Sequence, residues 1–178
     1  MSKVQTTAVQ EPPAFSAADV LLLAQRIEKD GAAFYRSAAG QIKRAEVASM
    51  LIDLADIEDG HLAIFGDLLE EIKGRGEAAG ILNPEDPTAP FLDAIARELF
   101  DHLSVPSARK LSKDATVADV LQTAIGLEKD SIIFYLGIKD AVPEKWGRSE
   151  IDGIIKEEMR HVGILSQGLK ALGESSKP

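Results

Sequence analysis

The sequence contains no cysteine. Disulfides, thiolate metal sites, iron–sulfur clusters and a cysteine nucleophile are therefore excluded. No apolar run reaches the roughly 18 residues that a membrane-spanning helix needs, so no membrane partner is expected. The opening MSKVQTTAVQEPPAFS lacks the hydrophobic segment of a signal peptide, and a cytoplasmic address is the expectation. Cationic residues are in deficit, with 20 Lys and Arg against 29 Asp and Glu and a net charge of −9. That balance repels nucleic-acid phosphates, which argues against nucleic acid as a partner, and it favours cations. Aromatics are few, but 45% hydrophobic and 28% charged residues fit a folded soluble domain rather than a disordered chain. A length of 178 residues suits one domain with a sizeable core.

The chain repeats itself at an offset of 100. Residues 16–35, SAADVLLLAQRIEKDGAAFY, match residues 116–135, TVADVLQTAIGLEKDSIIFY, at ten of twenty positions. The same offset relates Glu58 to Glu158 and His61 to His161. Each half reads as two helices. Ser16 and Thr116 are N-cap candidates, each with Asp three residues on, a shorter relative of the capping box. The periodicity predicts helices over 17–39, stopped at Gly40, and 45–73, stopped at Gly74. Their counterparts are 117–139, closed by Pro143, and 148–172, ending at Gly173. These make two hairpins, 16–73 and 116–173, joined by a Gly- and Pro-rich connection over 74–115 with one short helical stretch, 91–103. Residues 1–15 and the last five read as flexible ends. A connection of that length lets the second and third helices run parallel.

Six polar residues sit where apolar ones belong. The second helix runs Val47, Leu51, Leu54, Ala55, then Glu58 and His61, then Leu62, Phe65, Leu69 and Ile72. The fourth runs Ile151, Ile154, Ile155, then Glu158 and His161, then Val162, Leu165 and Leu169. Glu28 and Glu128 interrupt the stripes of the first and third helices in the same way. An unpaired buried carboxylate costs several kcal/mol, and four at one level would repel each other. Protonation relieves this; cations relieve it better, because two divalent ions carry the +4 that four carboxylates lack. Residues three apart lie about 60° apart around a helix with a rise of about 4.5 Å, so each Glu-x-x-His pair can serve one metal region. Oxygen and nitrogen donors without sulfur fit iron or manganese, with zinc also able to bind.

Single glutamates on the first and third helices, with Glu-x-x-His on the second and fourth, resemble the carboxylate-bridged di-iron site of ferritin-like proteins. The resemblance covers about 16–172 and lies closest to the rubrerythrin-like branch without a rubredoxin domain. It implies an all-α, ferritin-like four-helix bundle with a long crossover between the second and third helices. It further implies two iron ions, Glu28 and His61 being terminal to one, Glu128 and His161 to the other, and Glu58 and Glu158 bridging. Where rubrerythrins place an additional carboxylate this chain has Ser131, matched by Gly31 in the first half. The ligand count is thus six, as in bacterioferritin. The activity implied is that of a non-haem di-iron oxidoreductase acting on O₂, peroxide or Fe(II), of ferroxidase or peroxidase type, with an external electron donor. The alternatives are metal sequestration or sensing without turnover, and a di-iron oxygenase. A homodimer, with or without exchanged helix pairs, is the assembly expected of such a family.

The remaining polar residues divide more plainly. Tyr35 and Tyr135 lie two turns beyond Glu28 and Glu128 on the same face, placed to hydrogen-bond the ligand carboxylates or relay electrons, although core packing is the commoner role. Glu70, Glu71 and Glu157 read as surface charge, Glu157 because it points about 100° away from Glu158. His102 with Glu98 reads as a solvated crossover helix, a peripheral metal site being the alternative. Trp146 reads as a packing anchor. The histidines need acceptors for their outer ring nitrogens, which the sequence does not identify.

Overall fold

A computed structural model describes residues 16–77, 112, 114–142 and 144–174. The expectations for the N-terminal segment, the short helix at 91–103, Glu98, His102 and Pro143 lie outside the described residues. Within them all regular structure is helical: α1 (Ala17–Ala39), α2 (Ala45–Gly74), α3 (Val117–Ala141), a 3₁₀ turn (Glu144–Trp146) and α4 (Arg148–Glu174).

Local chemistry sets the ends. Ser16 Oγ accepts from the Asp19 backbone N–H at 3.2 Å, and Asp19 accepts in return from the Ser16 N–H at 2.9 Å. Thr116 and Asp119 repeat this reciprocal box at 3.2 and 2.8 Å, satisfying N–H groups that a helix start leaves free. Gly40 follows α1 but with φ −66°, an ordinary right-handed conformation. α2 ends at Gly74 as expected, but the left-handed residue beyond its cap is Gly76, which takes φ 71°, donates to Lys73 O, and directs Glu77 N–H to Ile72 O, both at 2.9 Å. That pair of bonds is a Schellman motif, which needs a left-handed residue just past the cap.

Packing order follows from which helices touch. Among the described residues α1 contacts α2 and α3, and α4 contacts α3 and α2, so α1–α4 and α2–α3 are diagonals. Two apolar clusters fix the directions. One gathers the start of α1 (Val20, Leu21), the end of α2 (Phe65, Ile72), the end of α3 (Tyr135, Ile138) and the start of α4 (Ile151, Ile154). The other holds the opposite ends: Tyr35 and Ala38, Leu51 and Leu54, Val120 and Leu121, and Leu165. Hence α1 runs with α4 and α2 with α3, each pair against the other. Repeat-related residues lie at opposite ends of the bundle, the arrangement of a two-fold axis across its middle. Leu51, Ile151 and Ile154 are essentially inaccessible, each worth about 1.5–3 kcal/mol of burial. Between the two clusters, all four helices present polar side chains.

Candidate metal centre

Glu28, Glu58, His61, Glu128, Glu158 and His161 are the only fully buried charged or polar residues among the described residues, each 3% exposed or less. They occupy the mid-levels of α1, α2, α3 and α4, where the stripes are interrupted. Both histidines turn Nδ1 inward. His61 Nδ1 lies 3.2 Å from Glu58 Oε2, 3.0 Å from Glu158 Oε1 and 3.6 Å from Glu28 Oε2. His161 Nδ1 lies 3.3 Å from Glu58 Oε1, 3.0 Å from Glu158 Oε2 and 3.5 Å from Glu128 Oε1. Glu58 and Glu158 therefore each set one oxygen against each histidine, whereas Glu28 and Glu128 serve one histidine each. The rings face one another with centroids 5.9 Å apart.

Two groups with metal-ligand spacing result: Glu28, Glu58, His61, Glu158, and Glu58, Glu128, Glu158, His161, the candidate atoms within 4.8 Å of one another. They share Glu58 and Glu158. Glu158 Oε1 is buried and accepts no hydrogen bond, because His61 Nδ1, although close, is not aligned with it. An acceptor left so costs about 1–3 kcal/mol, and a cation would satisfy it. With oxygen and nitrogen donors and no sulfur, the six side chains fit a pair of divalent ions.

Electrostatics within the cluster are sharply divided. Burial pushes the Glu28 carboxyl well above the usual range, with the neighbouring carboxylates outweighing the His61 hydrogen bond. Burial likewise takes Glu128 to about 9. For Glu58 and Glu158 burial acts in the same sense, but the two histidines close beside each carboxylate overcome it and hold each below the usual range. Burial opposes charge on the imidazoles too, and is overcome by the surrounding carboxylates: His61 is raised, and His161 reaches about 11. The cluster is thus divided: Glu58 and Glu158 are pushed toward the ionised form and Glu28 and Glu128 toward the neutral one, while both imidazoles are pushed toward the charged form.

Each tyrosine hydroxyl donates to a carboxylate of the opposite half. Tyr35 on α1 bonds Glu128 Oε1 on α3, and Tyr135 on α3 bonds Glu28 Oε1 on α1. Both phenols are held protonated, by burial first and then by the adjoining carboxylate. Ser131 Oγ donates to Leu127 O at 3.1 Å, within its own helix, and a Cβ at Gly31 would sit 3.7 Å from Glu58 Cγ. Neither position adds a carboxylate.

The reading of Glu157 as surface charge is corrected. Its Oε2 lies 2.7 Å from His61 Nε2, the outer nitrogen, although its side chain is 45% exposed. The 100° step away from Glu158 turns Glu157 toward α2, and its length spans the gap. The signal was present in the repeat: position 57 is Ile and 157 is Glu, a difference beside otherwise matched motifs. Glu70 and Glu71 do lie on the surface, paired with Lys73 and Arg75. Trp146 is buried and donates Nε1–H to Glu77.

Fold and cluster together define a class: a ferritin-like four-helix bundle with a buried carboxylate–histidine centre suited to two metals. A crystal structure from Thermotoga maritima, of a protein described as ferritin-like and diiron-carboxylate, is similar to this chain. The match has a TM-score of 0.64 at 26% sequence identity, covering 90% of this chain and 98% of that one. No protein-family model matches the chain, and no curated protein does. Among the described residues no helix is long and apolar enough to cross a membrane.

Proposed function

We propose that this protein binds two iron ions in the mid-bundle cluster and oxidises Fe(II) with O₂ or peroxide. The observation that carries the reading is the sharing of Glu58 and Glu158 between two otherwise separate groups of donors. In this reading Glu58 and Glu158 bridge, Glu28 and His61 are terminal on one side, and Glu128 and His161 on the other. The like description of the Thermotoga maritima protein supports iron as the metal. A pair of iron ions supplies two electrons to an oxidant.

The chain's own residues prepare for that chemistry. Tyr35 and Tyr135 hold the terminal carboxylates from the opposite helix, so their orientation does not depend on the metal alone. Nδ1 of each histidine points into the cluster, ready to coordinate once its proton leaves. Apolar layers on both sides keep water from the carboxylates and strengthen their hold on a cation.

Aerobic addition of Fe(II) to chelated protein is expected to saturate at two ions per chain and to produce a near-ultraviolet absorption band. Glu58→Ala removes a donor common to both groups, and should abolish both the stoichiometry and the band. Identical behaviour of this variant and the wild type would sink the proposal.

A further inference from the structure

The two halves of the cluster match ligand for ligand, but their surroundings do not. His61 on α2 uses both nitrogens: Nδ1 faces the carboxylates, and Nε2 meets Glu157 of α4 at 2.7 Å. With Nε2–H donated outward, the Nδ1 lone pair is the one left for a cation. At the repeat-equivalent position of Glu157, α2 carries Ile57, which offers no carboxylate. Ile57 is 38% exposed, and among the described residues the side-chain hydrogen bond and ion pairs of His161 all run from Nδ1. An outward carboxylate fixes the tautomer and orientation of an imidazole ligand and makes it more basic, and losing such a partner typically costs about 10–100-fold in metal affinity.

We infer that the two metal positions are unequal, that the position served by His61 fills first, and that Glu157 is the positioning residue responsible. This rests on the reading of the cluster as a two-metal centre. The structure supports a division of labour: one ion retained, and a second position, on the His161 side, that exchanges more readily. Substrate Fe(II) would enter and leave there while the His61 side stays loaded.

Calorimetric titration of chelated protein with Mn(II), which stays divalent in air-free buffer, tests this directly. Wild type should show two classes of site separated by about 10–100-fold. His161→Ala should retain the tight class and His61→Ala should lose it. Glu157→Ala and Glu157→Gln should weaken the tight class until the two nearly coincide, with the thermal midpoint of the chelated protein little changed, since Glu157 is half-exposed. Ile57→Glu gives the converse: it places a carboxylate at the position equivalent to Glu157 and should tighten the weak class. Two equal sites in the wild type, or a tight class indifferent to position 157, overturns the inference while leaving the metal centre intact. No Mn(II) binding at all overturns the metal centre, and the inequality with it.

Discussion

At the scale of single residues, the crossed tyrosines show most clearly how this interior is held. Tyr135 is fully buried against Phe65 and Phe134, with ring centroids 5.3 and 5.5 Å away, and its hydroxyl meets Glu28 on a different helix. Phenylalanine would preserve the ring packing and strip only the donor. Tyr135→Phe and Tyr35→Phe should therefore each cost about 1–3 kcal/mol of stability, the penalty for leaving a buried partner unsatisfied. Urea denaturation of the chelated variants measures it. An unchanged midpoint would mean that the hydroxyl bonds are idle and the rings act by packing alone. The six polar residues were legible in the sequence because a charged side chain on an apolar stripe is costly and so conspicuous. The partners of the tyrosines were not, because the periodicity of one helix says nothing about which helix lies opposite. Glu157 escaped for another reason: a half-exposed glutamate on an amphipathic helix looks like any other surface charge until the neighbouring helix is in place.

At the scale of the helix and its ends, much was legible where the signal was chemical and local. The paired Ser/Thr and Asp caps placed the starts of α1 and α3, and the apolar period carried all four helices to within two residues of their observed ends. Backbone handedness was less legible, since Gly74 and Gly76 look alike in sequence and only one takes positive φ. Gly147, between the 3₁₀ turn and α4, carries a heavier demand. Its φ is 95°, and an added Cβ would lie 2.4 Å from Leu68 Cδ2 and 2.8 Å from Cδ1. Gly147→Ala combines left-handed strain of about 1–2 kcal/mol with displacement of a buried leucine, costing about 1–3 kcal/mol more. At Gly76 a Cβ meets open space, so Gly76→Ala should cost only the strain. Denaturation midpoints should rank the two variants in that order, and equal losses would mean that Leu68 moves aside freely. The surface diverged where the interior did not: Arg36 pairs with Asp56 and Asp59 in the first hairpin, while Lys139 and Lys156 hold Asp152 in the second.

At the scale of the whole molecule, a two-fold arrangement of duplicated hairpins concentrates four carboxyls and two imidazoles at one level, and their charge must be balanced there. After chelation, protons do this. Glu28, Glu128, His61 and His161 each have a folded pKa above the unfolded one, with Glu128 near 9 and His161 near 11. Stability from such groups is fully present below the unfolded pKa, about 4.3 for Glu and 6.5 for His, and is lost as pH rises through the folded value. Glu58 and Glu158, lowered, act oppositely, and their contribution fades only in stronger acid. The chelated protein should therefore lose thermal stability steadily from about pH 5 to beyond pH 9. Two divalent ions take over the same balance, so loading at neutral pH is expected to expel protons from the raised groups, up to one from each. Metal affinity then climbs with pH while the stability of the chelated chain falls, and the gap between loaded and chelated melting temperatures should be wider at pH 9 than at pH 6. Proton release is measurable with an indicator dye in weak buffer during Mn(II) titration. Up to about four protons per pair of ions is the expected yield; a yield near zero, or a chelated protein that grows more stable toward pH 9, would show that the cluster balances its charge in some other way.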